Sequence, residues 1–156
     1  MGCDIHTWVE VRQEGEWHRV EKAIFPGWRE PSKEPFDCRN YGVFGFLADV
    51  RNYSCVVPLD QPRGWPPSFG KEWEFGDLHS CSWFLLSELL AVDYEQLILD
   101  WRVMRDGNGA AKARSREEAK EIKLGEFLGD TYMKSLEALK TLGSPENVRV
   151  IFAFDN

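Results

Sequence analysis

The chain has 156 residues, enough for one domain with a real hydrophobic core and no need of metal or disulfide staples. Its formal charge of −7 excludes a broad basic surface for duplex nucleic acid but leaves room for a small anionic ligand in a local arginine pocket. No apolar run nears the length of a membrane span, and the chain opens without a signal-like segment. A cytoplasmic protein with reduced Cys3, Cys38, Cys55 and Cys81 is therefore expected.

The first strand is predicted from Cys3 to Arg12. Alternation places Cys3, Ile5, Thr7 and Val9 on a core face and Asp4, His6, Trp8 and Glu10 on the other. A turn at Gln13-Glu14-Gly15-Glu16 returns the chain into a second strand, Trp17 to Ile24, completing a hairpin. Residues 26 to 40 read as a loop. Tyr41 to Ala48 is apolar enough for a short helix despite its two glycines. A long irregular segment, 54 to 76, carries Arg63-Gly64-Trp65-Pro66-Pro67.

Trp83 to Leu90 reads as a buried helix capped by Ser80 or Ser82, with His79 at its N-terminal end. Further helices are expected from Tyr94 to Met104, Ala110 to Lys123 and Leu124 to Leu139, with a break at Asp106-Gly107-Asn108-Gly109. Gly143 signals the end of the last one. Val148 to Phe154 is a final apolar strand, suited to lie beside the first at the sheet centre. These elements make an α+β fold, a small antiparallel sheet built from an N-terminal hairpin and a C-terminal strand, with helices on one face.

Asp4-x-His6 and Asp77-x-His79 are the sharpest pair of motifs. Two histidines, each beside an orienting carboxylate, can act as general base and general acid on a phosphodiester. No metal or other cofactor is needed if the substrate carries its own nucleophile, such as a ribose 2′-OH. Ser80 and Ser82 would hold phosphate oxygens, and Arg39, Arg51 and Arg63 are candidates for forked phosphate contacts. Trp8, Trp65 and Trp83 could stack on bases, and Glu10 is a further polar contact. His18 in the return strand reads as structural or exposed. The weaker alternatives are metal sets drawn from Cys3, His6, His79 and Cys81, or from Asp4, His6, Asp77 and His79.

Met1-Gly2-Cys3-Asp4-Ile5-His6 with Glu10, Leu47-Ala48-Asp49-Val50-Arg51, Asp77-Leu78-His79-Ser80-Cys81-Ser82-Trp83 and Phe154-Asp155-Asn156 resemble one family. It consists of small phage- and prophage-encoded proteins that open with this hexapeptide and close on Phe-Asp-Asn. The resemblance covers both ends and the middle of a single domain, 1 to 156, and leaves 105 to 145 as a variable helical insertion. It implies a second histidine where Cys81 stands here.

Small phage proteins with aromatic and arginine-lined pockets include some that counter host immunity by binding or cleaving nucleotide signals, an analogy of context that agrees with the site chemistry. The leading expectation is thus a counter-defence enzyme that cleaves a phosphodiester in a small, cyclic-dinucleotide-like messenger. The alternative is a non-catalytic sponge, working as a homo-oligomer, that sequesters such a nucleotide. A third reading is an adaptor using the exposed aromatics of 54 to 76.

Overall fold

The structure, a computed structural model, describes residues 2–28, 31–69, 77–105, 109–112 and 115–156. Eight strands are described: β1 (Asp4–Gln13), β2 (Glu16–Val20), β3 (His79–Leu85), β4 (Leu97–Asp100), β5 (Arg102–Arg105), β6 (Gly109–Lys112), β7 (Lys120–Lys123) and β8 (Val148–Asp155). Four α-helices accompany them: α1 (Tyr41–Ala48), α2 (Leu86–Leu90), α3 (Leu124–Leu128) and α4 (Asp130–Leu139). The fold is α+β. Contacts divide the chain into two units, Met1–Arg39 with Pro62–Val92 and Asp130–Asn156, and Asn40–Gln61 with Asp93–Gly129.

The first unit is built on an antiparallel sheet in the order β2-β1-β8-β3. The hairpin closes tightly because Glu14 and Gly15 both take positive φ, 52° and 80°, the geometry whose twist matches the flanking strands. β1 and β8 pair from Asp4↔Asp155 to Val11↔Val148. Val148 to Phe154 are all buried, as a central strand covered on both faces requires. On one face Ile5, Thr7, Val9 and Val11 align with Phe154, Phe152, Val150 and Val148. Buried residues of α2 and α4 (Leu86, Leu89, Tyr132, Leu136 and Leu139) extend that core. α2 packs on α4, β3 and β8.

On the second face the segment after Pro62 folds over the strands. Trp8 meets Trp65 and Phe69 edge-on at 5.8 and 5.7 Å. Such aromatic pairs add stabilisation beyond the area they bury.

In the second unit, Asn40 caps α1 by accepting from the Gly42 amide at 2.9 Å and donates to the Leu128 carbonyl at 3.0 Å. The two glycines that lower the helix propensity of α1 are there for contact. A Cβ on Gly42 would stand 2.8 Å from the Phe127 ring, and one on Gly45 2.6 Å from Asn52 Oδ1. β4 pairs with β7, and β5 with β6.

Several predicted helices are strands. Residues 79–85 pair with β8 and leave only Leu86–Leu90 helical, so neither Ser80 nor Ser82 caps a helix. The alternation of buried Ser82 and Phe84 with part-exposed Cys81 and Trp83 is the strand signature. The stretch 94–104 holds β4 and most of β5, and 110–123 holds most of β6, a single 3₁₀ turn and β7, because cross-strand pairing overrides weak helix propensity. The amphipathic segment from Leu124 is broken at Gly129, whose φ of 88° suits glycine, into α3 and α4. The predicted break at Asp106-Gly107-Asn108 and residues 70–76 of the predicted irregular segment lie outside the described residues. No helix among the described residues is long and apolar enough to cross a membrane.

Candidate functional site

Strand alternation brings Asp4, His6, Trp8 and Glu10 to one face of β1, where they meet Asp155, Ala153, Ile151 and Arg149 of β8. The two ends of this face differ. At the inner end Glu10 Oε1 accepts from Arg149 Nε at 2.9 Å and Nη2 at 2.7 Å. Arg149 Nη2 also donates to the Pro67 carbonyl at 3.0 Å, and its guanidinium lies 4.2 Å from the Trp17 ring centroid. Glu10 is thus a buried structural partner, not the ligand contact its sequence position predicted.

At the outer end, His6 Nε2 lies 2.8 Å from Asp155 Oδ2, and Asp155 Oδ1 accepts from the Asp4 amide at 3.2 Å. One carboxylate therefore fixes the imidazole ring and the start of the strand together. Asp4 takes a bidentate contact from Arg39, Nε to Oδ1 at 2.8 Å and Nη2 to Oδ2 at 2.7 Å. That contact holds the Asp4 carboxyl below the usual aspartate range. Arg39 can approach because Gly2 has no side chain: a Cβ there would stand 2.7 Å from Arg39 Nη1.

β2 ends at Val20, opposite Val9, which leaves the outer edge of β1 from Asp4 to Trp8 to the segment 32–37. Thr7 donates its amide to Glu34 Oε1 at 3.4 Å and its hydroxyl to the Pro35 carbonyl at 2.8 Å. Phe36 turns this segment with a φ of 61°, rare for a large side chain, held by its stack on Tyr132 and by the hydrogen bond its amide N–H donates to Ser135 Oγ. Burial pushes the Glu34 carboxyl above the usual glutamate value; the Thr7 amide and the nearby His6 pull the other way. Glu34 also lines a cavity of about 280 Å³ with Thr7, Trp8, Val9, Arg19, Val20, Glu21, Ser32 and Lys33.

The two predicted catalytic histidines are not brought together. His79 pairs with Phe154, and their rings lie 6.2 Å apart. His6 shares the opposite face with Asp155, because neighbouring residues of a strand point to opposite sides. His79 Nδ1 contacts Ser80 Oγ at 3.0 Å, its Nε2 is buried with no hydrogen-bond partner, and Asp77 is exposed. Ser80, at a φ of 54°, sits in the irregularity of β3 between His79 and Ser82. Ser82 is fully buried and accepts from the Arg63 amide at 3.0 Å.

The arginines predicted to grip phosphate are engaged within the protein. Arg63 makes a bidentate contact with Glu88, Nη1 to Oε2 at 2.9 Å and Nη2 to Oε1 at 2.7 Å, and Arg39 holds Asp4. Arg51 belongs to the second unit, its Nη1 donating to the Tyr53 hydroxyl at 3.2 Å. Trp8 lines the cavity, and Trp65 is 40% exposed. Trp83 stands under Arg63, 5.3 Å from its guanidinium. Among the described residues no three His, Cys, Asp or Glu side chains are grouped to hold a metal, so neither of the two alternative sets is assembled.

Asp155 and Glu34 stand beside His6 and Thr7 in this candidate site, and sequence reading missed both. Asp155 stands in the terminal Phe-Asp-Asn motif, but its partnership with His6 depends on strand register. Glu34 lies in a proline-rich loop with no local signal. Comparison with protein-family models, with curated proteins and with solved structures finds no match.

Proposed function

We propose that the chain is an acid–base hydrolase of a phosphodiester in a small nucleotide, working through His6, Asp155 and Glu34 in place of a two-histidine pair. The observation that carries this reading is the His6–Asp155 contact at 2.8 Å, on a ring 39% exposed and beside a half-buried Glu34 whose carboxyl burial pushes above the usual value. Asp155 orients the ring through Nε2, which leaves Nδ1 as the base. Nδ1 takes the proton of the attacking hydroxyl, a ribose 2′-OH or a water, as the new P–O bond forms. Glu34, protonated, donates to the leaving oxygen as the old P–O bond breaks. Two groups in different environments, one driven toward neutrality by burial, form the usual division of acid and base roles. The phage counter-defence setting rests on the likeness of the sequence motifs.

The test incubates the purified protein with cyclic mononucleotides, cyclic dinucleotides and ADP-ribose derivatives, followed by chromatography before and after heat denaturation. New products that fall by about 10²–10⁴-fold in His6→Ala and Glu34→Gln are the expected result. A compound that disappears and returns intact on denaturation would replace the enzyme with the sponge. No change in any compound would favour the adaptor.

A further inference from the structure

The cavity beside Glu34 bears on what this site would hold. At about 280 Å³ it stands at the floor of the range for small-molecule sites, roughly 300–1,000 Å³. Its charged walls set Arg19 and Lys33 against Glu21 and Glu34. Arg19 is carried over the Phe69 ring, 5.3 Å from its centroid. Phe69 in turn stacks on Trp65 at 5.3 Å and 18°, and both meet Trp8 edge-on. A cationic wall thus adjoins a cluster of flat rings, one of which, Trp65, is part-exposed. That juxtaposition matches a ligand with an anionic group joined to a planar ring.

We propose that this cavity binds a single mononucleotide unit, its phosphate between Arg19 and Lys33 and its base against the Trp8–Trp65 cluster. The inference rests on the hydrolase reading and narrows it to a cavity that Glu34 itself lines. It replaces Arg39, Arg51 and Arg63 as phosphate contacts with two cations that line the cavity itself.

Calorimetry and tryptophan fluorescence on the full chain test it, with cyclic AMP, cyclic GMP, cyclic di-AMP and inorganic phosphate as probes. Lys33 is exposed, so Lys33→Glu should keep the fold, checked by its thermal melt. A cyclic mononucleotide should bind and quench fluorescence, and Lys33→Glu should weaken binding by about tenfold or more. Trp65→Ala should weaken binding and reduce the quench. Equal binding by the parent and Lys33→Glu, or binding of cyclic di-AMP alone, would overturn the assignment. A mononucleotide that binds without conversion would support this site and sink the hydrolase. Conversion untouched by Lys33→Glu and Trp65→Ala would do the reverse.

Discussion

The two ends of the polar face of β1 use the same residue types in opposite ways. Glu10 and Arg149 are 7% and 2% exposed, closed over by Pro67 and Trp17. Asp4 and Arg39 are each 48% exposed, and His6 and Asp155 are 39% and 37%. A desolvated ion pair contributes chiefly by the cost of breaking it, since the surviving charge would be stranded. A solvated pair contributes little to stability but keeps its groups reachable. The inner end is therefore framework, and the outer end leaves its ionisable groups accessible.

The sharpest break in this contrast is Arg149→Met. It strands Glu10 and should cost about 3–5 kcal/mol in chemical denaturation. Glu10→Leu combined with Arg149→Met should recover most of that loss, since a well-packed apolar pair needs no charge compensation. A single variant that melts like the parent would show that the pair is not buried. On the hydrolase reading, Asp155→Asn at the outer end should lower turnover strongly while moving stability by less than about 1 kcal/mol. Comparable losses of stability at the two ends would erase the distinction.

Two finer effects follow from ionisation. The raised Glu34 carboxyl stabilises the fold below the ordinary glutamate value, and this contribution is lost as pH rises through the folded value. Denaturation of Glu34→Gln and the parent at several pH values should show the variant gaining on the parent across that window. Asp4 has the opposite sign: its contribution is present above the ordinary aspartate value and is lost as pH falls through the lowered one. Gly2→Ala should push Arg39 off Asp4 and move the Asp4 titration, followed by NMR, back up with little change in melting temperature. An unmoved titration would show that Arg39 approaches by another route.

Much of the sheet was legible locally. The alternation of Asp4-Ile5-His6-Thr7-Trp8-Val9 and the Glu14-Gly15 turn report a hairpin within a dozen residues, and the apolar run of β8 reports a central strand. The apolar run from Tyr41 to Ala48 likewise marks α1. These signals depend on side-chain period and backbone preference, which neighbouring residues settle among themselves. Trp83-Phe84-Leu85, 97–100, 102–104, 110–112 and 120–123 were misread because a strand edge competes with helix propensity only through partners distant in sequence.

The candidate site divides along the same line. The residue types of Asp4 and His6, and their shared face, were determined by the sequence. That Asp155 meets His6, that Glu34 caps the Thr7 amide, and that His79 faces Phe154 were decided by register and by where β2 stops. A shift of one residue in pairing would turn every side chain of a strand to the other face, and no local pattern encodes that choice.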